Sequence, residues 1–167
     1  MAAIFARAVA ALIVLVAVLA GGGTVARAQG ADELAALREQ VSRLHSQGKY
    51  TEAIPLAERY VSLARQRHGE EHTEFATAVS WLGFVYGAQG RYGEAEPLYK
   101  RSLALREKAL GPDHPDVGTS LNNLAELYRS QGRYGEAEPL YKRSLALYEK
   151  ALGPDHPSVG TSLNNRP

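Results

Sequence analysis

The sequence has no cysteine among its 167 residues. Disulfide bonds, thiol catalysis and cysteine-bound zinc are therefore excluded. An excess of charge of one sign is also lacking, because 19 lysine and arginine residues are balanced by 18 aspartate and glutamate residues. Such a balance produces no strong field for nucleic acid, so we expect no nucleic-acid partner. A chain of this length has room for one domain.

An apolar run long enough to span a membrane is missing as well. Residues 8–20 form an unbroken apolar stretch of 13 residues, whereas a spanning helix needs about 20. Arg7 precedes this stretch, and Ala26-Arg27-Ala28 follows it as the small-x-small pattern after which signal peptidases cut. We therefore predict that residues 1–28 are a cleaved signal peptide. The protein would then be exported, periplasmic or secreted, with no stable membrane insertion after cleavage.

The rest of the sequence contains a repeat of 42 residues. Residues 89–124 and 131–166 are identical at 33 of 36 positions. The three differences are Arg106/Tyr148, Asp116/Ser158 and Leu124/Arg166. A weaker copy begins one period earlier, at Gln47.

Each period predicts two helices, because its apolar residues recur at a spacing of three and four. Gly132 ends the first helix and Gly153 the second, since glycine accepts the left-handed conformation of a helix C-terminus. Pro97 and Pro139 fall inside second helices, where we expect a slight bend. The period predicts no strand, one truncated helix at the end, and three helix pairs near residues 32–67, 73–110 and 115–152.

Leu121-x2-Leu124-Ala125-x2-Tyr128, followed by Ala137-x3-Tyr141, resembles the tetratricopeptide signature. The 42-residue form, with GRYGEAEPLYKRSLAL and SLNNLAELY, is similar to the kinesin light chain subfamily. The resemblance covers roughly residues 33–165. It implies an all-α, right-handed superhelical solenoid of antiparallel helix pairs over residues 29–165. It also implies that the first helices line a concave groove that binds peptides.

The resemblance implies a scaffold that binds a protein or peptide partner, and the predicted signal peptide indicates that this binding occurs in the cell envelope or outside the cell. We expect no catalysis and no cofactor. The alternative is a fragment, the regulatory repeat segment of a longer, protease-like or signalling protein. That alternative rests on Arg166-Pro167, a truncated end where the period predicts leucine and alanine. An open end of this kind also favours self-association, because solenoids need polar caps.

The outward face of the first helix contains the candidate groove residues. Asn122, Glu126 and Arg129 are spaced i, i+4, i+7 and form one polar row, and Asn164 repeats Asn122 in the next unit. Such side chains can hold a peptide backbone by its N–H and C=O groups. Asn123 lies further round the helix than Asn122 and is therefore a weaker candidate for the groove. An ordinary solvated polar face is the alternative interpretation.

The equivalent face of the preceding first helix contains Trp81 and Phe84 instead. Exposed aromatic patches are often contact sites, and tryptophan is enriched among binding hot spots. We therefore add both residues to the candidate peptide-binding groove. The alternative is that the N-terminal helix, about residues 32–47, covers them.

His72, His114 and His156 recur every 42 residues and suggest a metal site. Equivalent residues of stacked helix pairs lie about 8–10 Å or more apart, whereas zinc needs nitrogen ligands at about 2.0–2.1 Å. We therefore expect no metal and assign these histidines to loops or helix starts. Ser102 and Ser144 are interpreted as small residues on the buried side, without the histidine and acid of a catalytic triad.

The signal-peptide interpretation makes a direct prediction. Mass spectrometry of the protein from its native host is expected to show an N-terminus at Gln29, because cleavage follows Ala28. Residues 1–28 found intact on a soluble cytoplasmic form would contradict export.

Overall fold

A computed structural model of the protein describes residues 33–153 and 156–164. The predicted signal peptide and the last residues, 165–167, lie outside this part of the chain. Contacts divide the chain into residues 1–36 and 37–167. Of the first unit only the helical residues 33–36 are described, and the packing below concerns the second unit alone.

The regular structure in the described ranges is entirely helical and contains no strand. Helices occupy the three predicted pairs and the predicted final short helix: the second and third pairs have the predicted outer bounds, and the first ends one residue later than predicted. No helix in these ranges is long and apolar enough to cross a membrane. In chain order the helices are α1 (33–46), α2 (Tyr50–His68), α3 (Thr73–Ala88), α4 (Tyr92–Leu110), α5 (Pro115–Ser130), α6 (Tyr134–Leu152) and α7 (Pro157–Asn164).

The recurring histidines start three of these helices, as predicted. Nδ1 of His72 accepts a hydrogen bond from the backbone N–H of Glu74 at 3.1 Å, and His114 does the same for Asp116 at 3.1 Å. His156 repeats the contact with Ser158 at 3.2 Å. Each imidazole thus satisfies one of the backbone N–H groups that a helix start leaves without a partner.

Glycines end the helices, also as predicted. Gly153 follows α6 with φ 86° and ψ 159°. The positive φ agrees with the prediction, but the ψ angle is extended and not that of a left-handed helix. Only glycine adopts this region readily. Pro97 and Pro139 lie inside α4 and α6, so these helices begin at Tyr92 and Tyr134 and not at the prolines.

Two buried serines join the second helix of a pair to the first. The Ser102 hydroxyl of α4 donates to the Ala76 carbonyl oxygen of α3 at 2.9 Å. The Ser144 hydroxyl of α6 donates to the Gly118 carbonyl oxygen of α5 at 2.8 Å. Both serines are fully buried, as the sequence predicted. Their hydroxyls act as structural donors between helices.

One turn beyond these serines the two repeats differ, because Arg106 of α4 is replaced by Tyr148 of α6. The Tyr148 hydroxyl donates to Thr119 Oγ1 at 3.0 Å, and Arg106 donates to the equivalent Thr77 at 3.1 Å. The tyrosine ring lies so close to α5 that a Cβ on Gly118 would be 3.1 Å from Tyr148 Cε1. Glycine at position 118 therefore makes room for Tyr148.

The last helix, α7, is only eight residues long. Val159 is 2% exposed and packs with Leu145 and Tyr148 of α6. Burial of this side of α6 therefore depends on a helix that would be marginal in isolation.

The tight contact at Gly118 leads to a stability prediction. Gly118→Ala is expected to lower the free energy of unfolding by about 1 kcal/mol, because overpacking outweighs the gain in helix propensity. Gly135→Ala is the matched control, since a Cβ there meets no atom within 4 Å. It should be neutral or stabilise by a few tenths of a kcal/mol. Urea denaturation followed by circular dichroism measures both. Equal stabilisation by the two alanines would contradict the tight contact.

Candidate functional site

A groove lies between the first helices α3 and α5 and is formed by two adjoining cavities. The Arg106 cavity has a volume of about 270 Å³, and the Glu126 cavity has a volume of about 200 Å³. Phe84 and Asn123 line both cavities and so join them. The Arg106 cavity is also lined by Thr77, Ser80, Trp81, Arg106 and Thr119, and the Glu126 cavity by Gly87, Ala88, Tyr92, Tyr99, Glu126, Leu127 and Ser130.

Helices α3 and α5 form the walls of this groove, and α4 contributes Tyr92, Tyr99 and Arg106. Across the groove, the Asn123 amide donates to the Ser80 hydroxyl at 3.4 Å. This long hydrogen bond leaves the asparagine able to bind another group. The small residues Gly87 and Ala88 keep the Glu126 cavity open on the α3 side.

Trp81 and Phe84 form an aromatic surface at the junction of the cavities. Their rings meet edge to face, with centroids 5.7 Å apart. His45 of α1 stacks on Phe84 at a centroid distance of 3.9 Å, and its burial lowers the pKa of the imidazole. Phe84 is nevertheless 40% exposed. The N-terminal helix therefore covers the aromatic residues in part, and both still line the groove.

Glu126 is the acidic group of the groove, and its charge is compensated. Its carboxylate accepts hydrogen bonds from Arg129 Nη2 at 2.6 Å and Nε at 3.0 Å. The hydroxyl of Tyr141 donates a third, at 2.8 Å. Burial raises the pKa of Glu126, but the bonds from Arg129 and Tyr141 outweigh burial, so the pKa lies below its usual value.

Arg106 is the basic group of the groove and is 8% exposed. Its guanidinium donates to the hydroxyls of Ser120 at 2.8 Å and Thr77 at 3.1 Å. Burial lowers the pKa of Arg106, and the more distant charge of Asp116 opposes this effect. Arginine stays charged at neutral pH even so, and the cavity therefore contains a buried positive charge.

Within residues 33–153 and 156–164, no group of three or more histidine, aspartate or glutamate side chains could hold a metal ion. The hydroxyls of Ser102 and Ser144 are bonded to helix carbonyls, as described above.

Family models for the tetratricopeptide repeat match residues 74–150 and 121–166, and a second such model matches residues 34–74. The chain belongs to the tetratricopeptide repeat family. A comparison with curated proteins finds no match.

Solved structures similar to this tetratricopeptide repeat protein include kinesin light chain-like proteins. Nearly identical repeats of a kinesin light chain from Podosopora anserina share 29% identity, with a TM-score of 0.71. The match covers 77% of this chain and 61% of that one, so the chain spans about three fifths of that structure. A single-substitution form of the same Podosopora anserina repeats gives a TM-score of 0.70 at the same identity and coverage.

BtubC from P. vanneervenii shares 23% identity with this tetratricopeptide repeat protein, with a TM-score of 0.67. The match covers 79% of this chain and 54% of BtubC. At this level of identity the likeness concerns the fold alone. The arrangement of successive helix pairs therefore recurs in proteins whose sequences differ at most positions.

The structure brings together three of the six candidate residues of this repeat protein. Trp81, Phe84 and Glu126 line the groove between α3 and α5. Arg129 contacts it only through Glu126. Asn122 lies outside it, with a buried Oδ1 that has no hydrogen-bond partner in the described structure. Asn164 is the last residue of α7, and its side chain lies outside the described part.

Asn122 lies outside this groove because α5 is buried on two sides. Ser120 and Leu127 are buried as well as Val117 and Leu121, so the buried stripe is wider than the sequence spacing suggested. Ser80 of α3, the equivalent of Asn122, faces α5 across the groove. By the same repeat geometry, Asn122 is directed toward the next first helix.

Asn123 and Arg106 are groove residues that the sequence reasoning missed. Asn123 ranked below Asn122 because the helix was treated as buried on one side only. Arg106 carried a visible signal, since it is one of the three differences between two nearly identical repeats.

The hydrogen bond from Tyr141 to Glu126 leads to a prediction about pH. Tyr141→Phe removes a donor to the carboxylate, so the pKa of Glu126 should rise toward its ordinary value. A carboxyl whose folded-state pKa is lowered stabilises the fold above its unfolded pKa, and this contribution is lost as the pH falls through the folded pKa. Acid unfolding of Tyr141→Phe should therefore begin at a higher pH.

Carbon-13 NMR titration of the Glu126 carboxyl measures this shift directly. Tyr99→Phe is the matched control, because it removes a buried phenol hydroxyl from the same cavity and keeps the Tyr141 donor. An unchanged Glu126 titration in Tyr141→Phe would contradict the proposed electrostatics.

Proposed function

We propose that this tetratricopeptide repeat protein is a scaffold that binds short segments of partner proteins in the groove between α3 and α5. The observation that supports the proposal best is the junction of the two cavities, where the aromatic residues Trp81 and Phe84 lie opposite Asn123. Tetratricopeptide repeats generally mediate protein–protein interaction. The groove lies between two first helices, as the family resemblance implies.

The chemistry of the groove suits a peptide. Aromatic rings offer large apolar contact area with little loss of side-chain entropy. Asn123, Thr77 and Thr119 offer amide and hydroxyl groups that can bond to a peptide backbone. A few polar groups among apolar ones give orientation and specificity to a ligand. The groove thus combines a contact surface with backbone recognition.

We further propose that this binding occurs in the cell envelope or outside the cell. The support for this location is the pattern of residues 1–28, with its basic start, short apolar run and small-x-small end. The same groove would also serve a regulatory repeat segment of a longer protein. The two settings differ in the partner and share the binding surface.

The experiment selects peptides from a random-peptide display library and measures their affinity for variants of the protein. Trp81→Ala should weaken binding of selected peptides at least tenfold, because Trp81 and Phe84 form the aromatic wall of the Arg106 cavity, and hot-spot losses commonly exceed about 2 kcal/mol. The circular dichroism spectrum should remain that of the unaltered protein, because Trp81 is only partly buried.

Tyr134→Ala is the matched control. Tyr134 is an aromatic residue at the start of α6 that is 54% exposed and lies outside both cavities. Its removal should leave peptide affinity unchanged. The groove proposal fails if selected peptides bind Trp81→Ala as well as they bind the unaltered protein. A loss of helicity in Trp81→Ala would instead assign this residue to the core.

A further inference from the structure

The helices that alternate along this chain are nearly interchangeable in sequence. Helices α4 and α6 differ only at Arg106/Tyr148. The eight residues of α7 differ from the first eight of α5 only at Ser158/Asp116. The chain connection favours the packing of neighbouring helices. Over this length, Asp116 is the one side chain by which α4 can distinguish α5 from α7.

Both differences belong to the same contact between helices. Arg106 lies between α3 and α5, because its guanidinium donates to Thr77 of α3 at 3.1 Å and to Ser120 of α5 at 2.8 Å. Asp116 precedes Ser120 by one helical turn, so the two residues share a side of α5. The charge of Asp116 opposes the effect of burial on the pKa of Arg106. The cation and the acid that distinguish the repeats therefore act on each other across the contact of α4 with α5.

A different order of helices would separate the charge from its countercharge. Arg106 is 8% exposed, and a buried charge without an opposite charge destabilises a fold. With α7 in the place of α5, the neutral Ser158 would replace Asp116. With α5 packed on α6, Asp116 would lie near Tyr148, whose hydroxyl already donates to Thr119 at 3.0 Å. Each first helix thus suits the second helix that precedes it.

The contact between α2 and α3 is matched in a similar way by other residues. Glu74 of α3 occupies the position of Asp116 one period earlier. The hydroxyl of Tyr60 on α2 donates to Glu74 Oε1 at 2.5 Å, and Tyr60 is fully buried. An acid at the start of a first helix therefore occurs in both contacts where the preceding helix supplies a buried donor or cation.

The start of a helix favours an acid in any case, because the helix dipole is positive there. His114 is a further neighbour of this acid, since its Nδ1 lies 3.9 Å from Asp116 Oδ2. Neither effect distinguishes the two repeats. Helix α7 has the same dipole, and His156 caps it as His114 caps α5, yet α7 begins with Ser158. What differs between the two helix starts is the residue of the preceding helix.

We propose that Arg106 and Asp116 form a matched pair that selects α5, and not the nearly identical α7, as the first helix that packs on α4. The pair determines the order of repeats that are otherwise interchangeable. It disfavours packing of α7 on α4, within one chain or from a second copy. The inference is independent of peptide binding, because Asp116 lines neither cavity of the groove.

Asp116→Ser tests the proposal, because it gives α5 the first eight residues of α7. Urea denaturation of the full-chain protein, followed by circular dichroism, measures the unfolding equilibrium constant. Asp116→Ser should raise this constant by a factor about fivefold larger in the presence of Arg106 than in Arg106→Met, because groups that interact are energetically coupled. The effect of the acid on the helix dipole is common to both backgrounds and cancels.

Two further variants serve as controls. Arg106→Gln is a second neutral background, which keeps a donor for the hydroxyls, and it should give the same result as Arg106→Met. Asp113→Asn removes an acid from the preceding loop, where Lys150 binds Asp113 at 2.6 Å. Its effect on the unfolding equilibrium constant should be the same with and without the guanidinium, to within a factor of about two.

An equal effect of Asp116→Ser with and without the guanidinium would overturn the proposal, since the acid would then act on the helix start alone. Coupling of Asp113→Asn to Arg106 as strong as that of Asp116→Ser would also overturn it, because the effect would then reflect net charge. Neither result would change the binding of display-selected peptides that depend on Trp81, which tests the groove separately.

Discussion

The close approach of the two helices within a pair governs the rest of the structure. In the α3–α4 and α5–α6 pairs a fully buried serine of the second helix donates its hydroxyl to a carbonyl oxygen of the first, at 2.9 Å and 2.8 Å. A buried hydroxyl needs such a partner, because burial without one is costly. Ser102 and Ser144 therefore stabilise the observed register of α4 against α3 and of α6 against α5.

That register determines where the residue one turn later lies. Arg106 and Tyr148 follow their serines by four positions, so they share the buried face of the second helix. Each side chain reaches the threonine after the contacted carbonyl, Thr77 or Thr119. In one pair the result is a charged cavity wall, and in the other it is a ring packed on Gly118. The same register between the two helices of a pair thus forms a cavity wall in one repeat and packs a ring against a helix in the next.

The sequence predicted the helices well because their ends are specified locally. His114 caps α5 through its own side chain, and Gly153 ends α6 through its own backbone, so neither depends on distant residues. The outward face of α5 could not be predicted as well. The orientation of this face depends on Ser120 and Leu127. A single apolar stripe would place both residues outside the core, but both are buried in the structure.

Burial of Arg106 was beyond sequence reasoning for a related reason. Arginine is almost always exposed or paired, and the sequence around Arg106 is that of an ordinary amphipathic helix. Its burial follows from the packing of α4 against α3 at Ser102. The hydroxyls of Thr77 on α3 and Ser120 on α5 then accept hydrogen bonds from the guanidinium. The partial cover of Phe84 by His45 likewise needs the contact between α1 and α3, which no local pattern encodes.

The two charged groups of the groove are compensated to different degrees. Glu126 already accepts three hydrogen bonds, so it has little capacity to attract a further cation. Arg106 keeps most of its donors and has only hydroxyl partners. Charge compensation is therefore direct at Glu126, whereas at Arg106 it comes from neutral hydroxyls and from the more distant charge of Asp116.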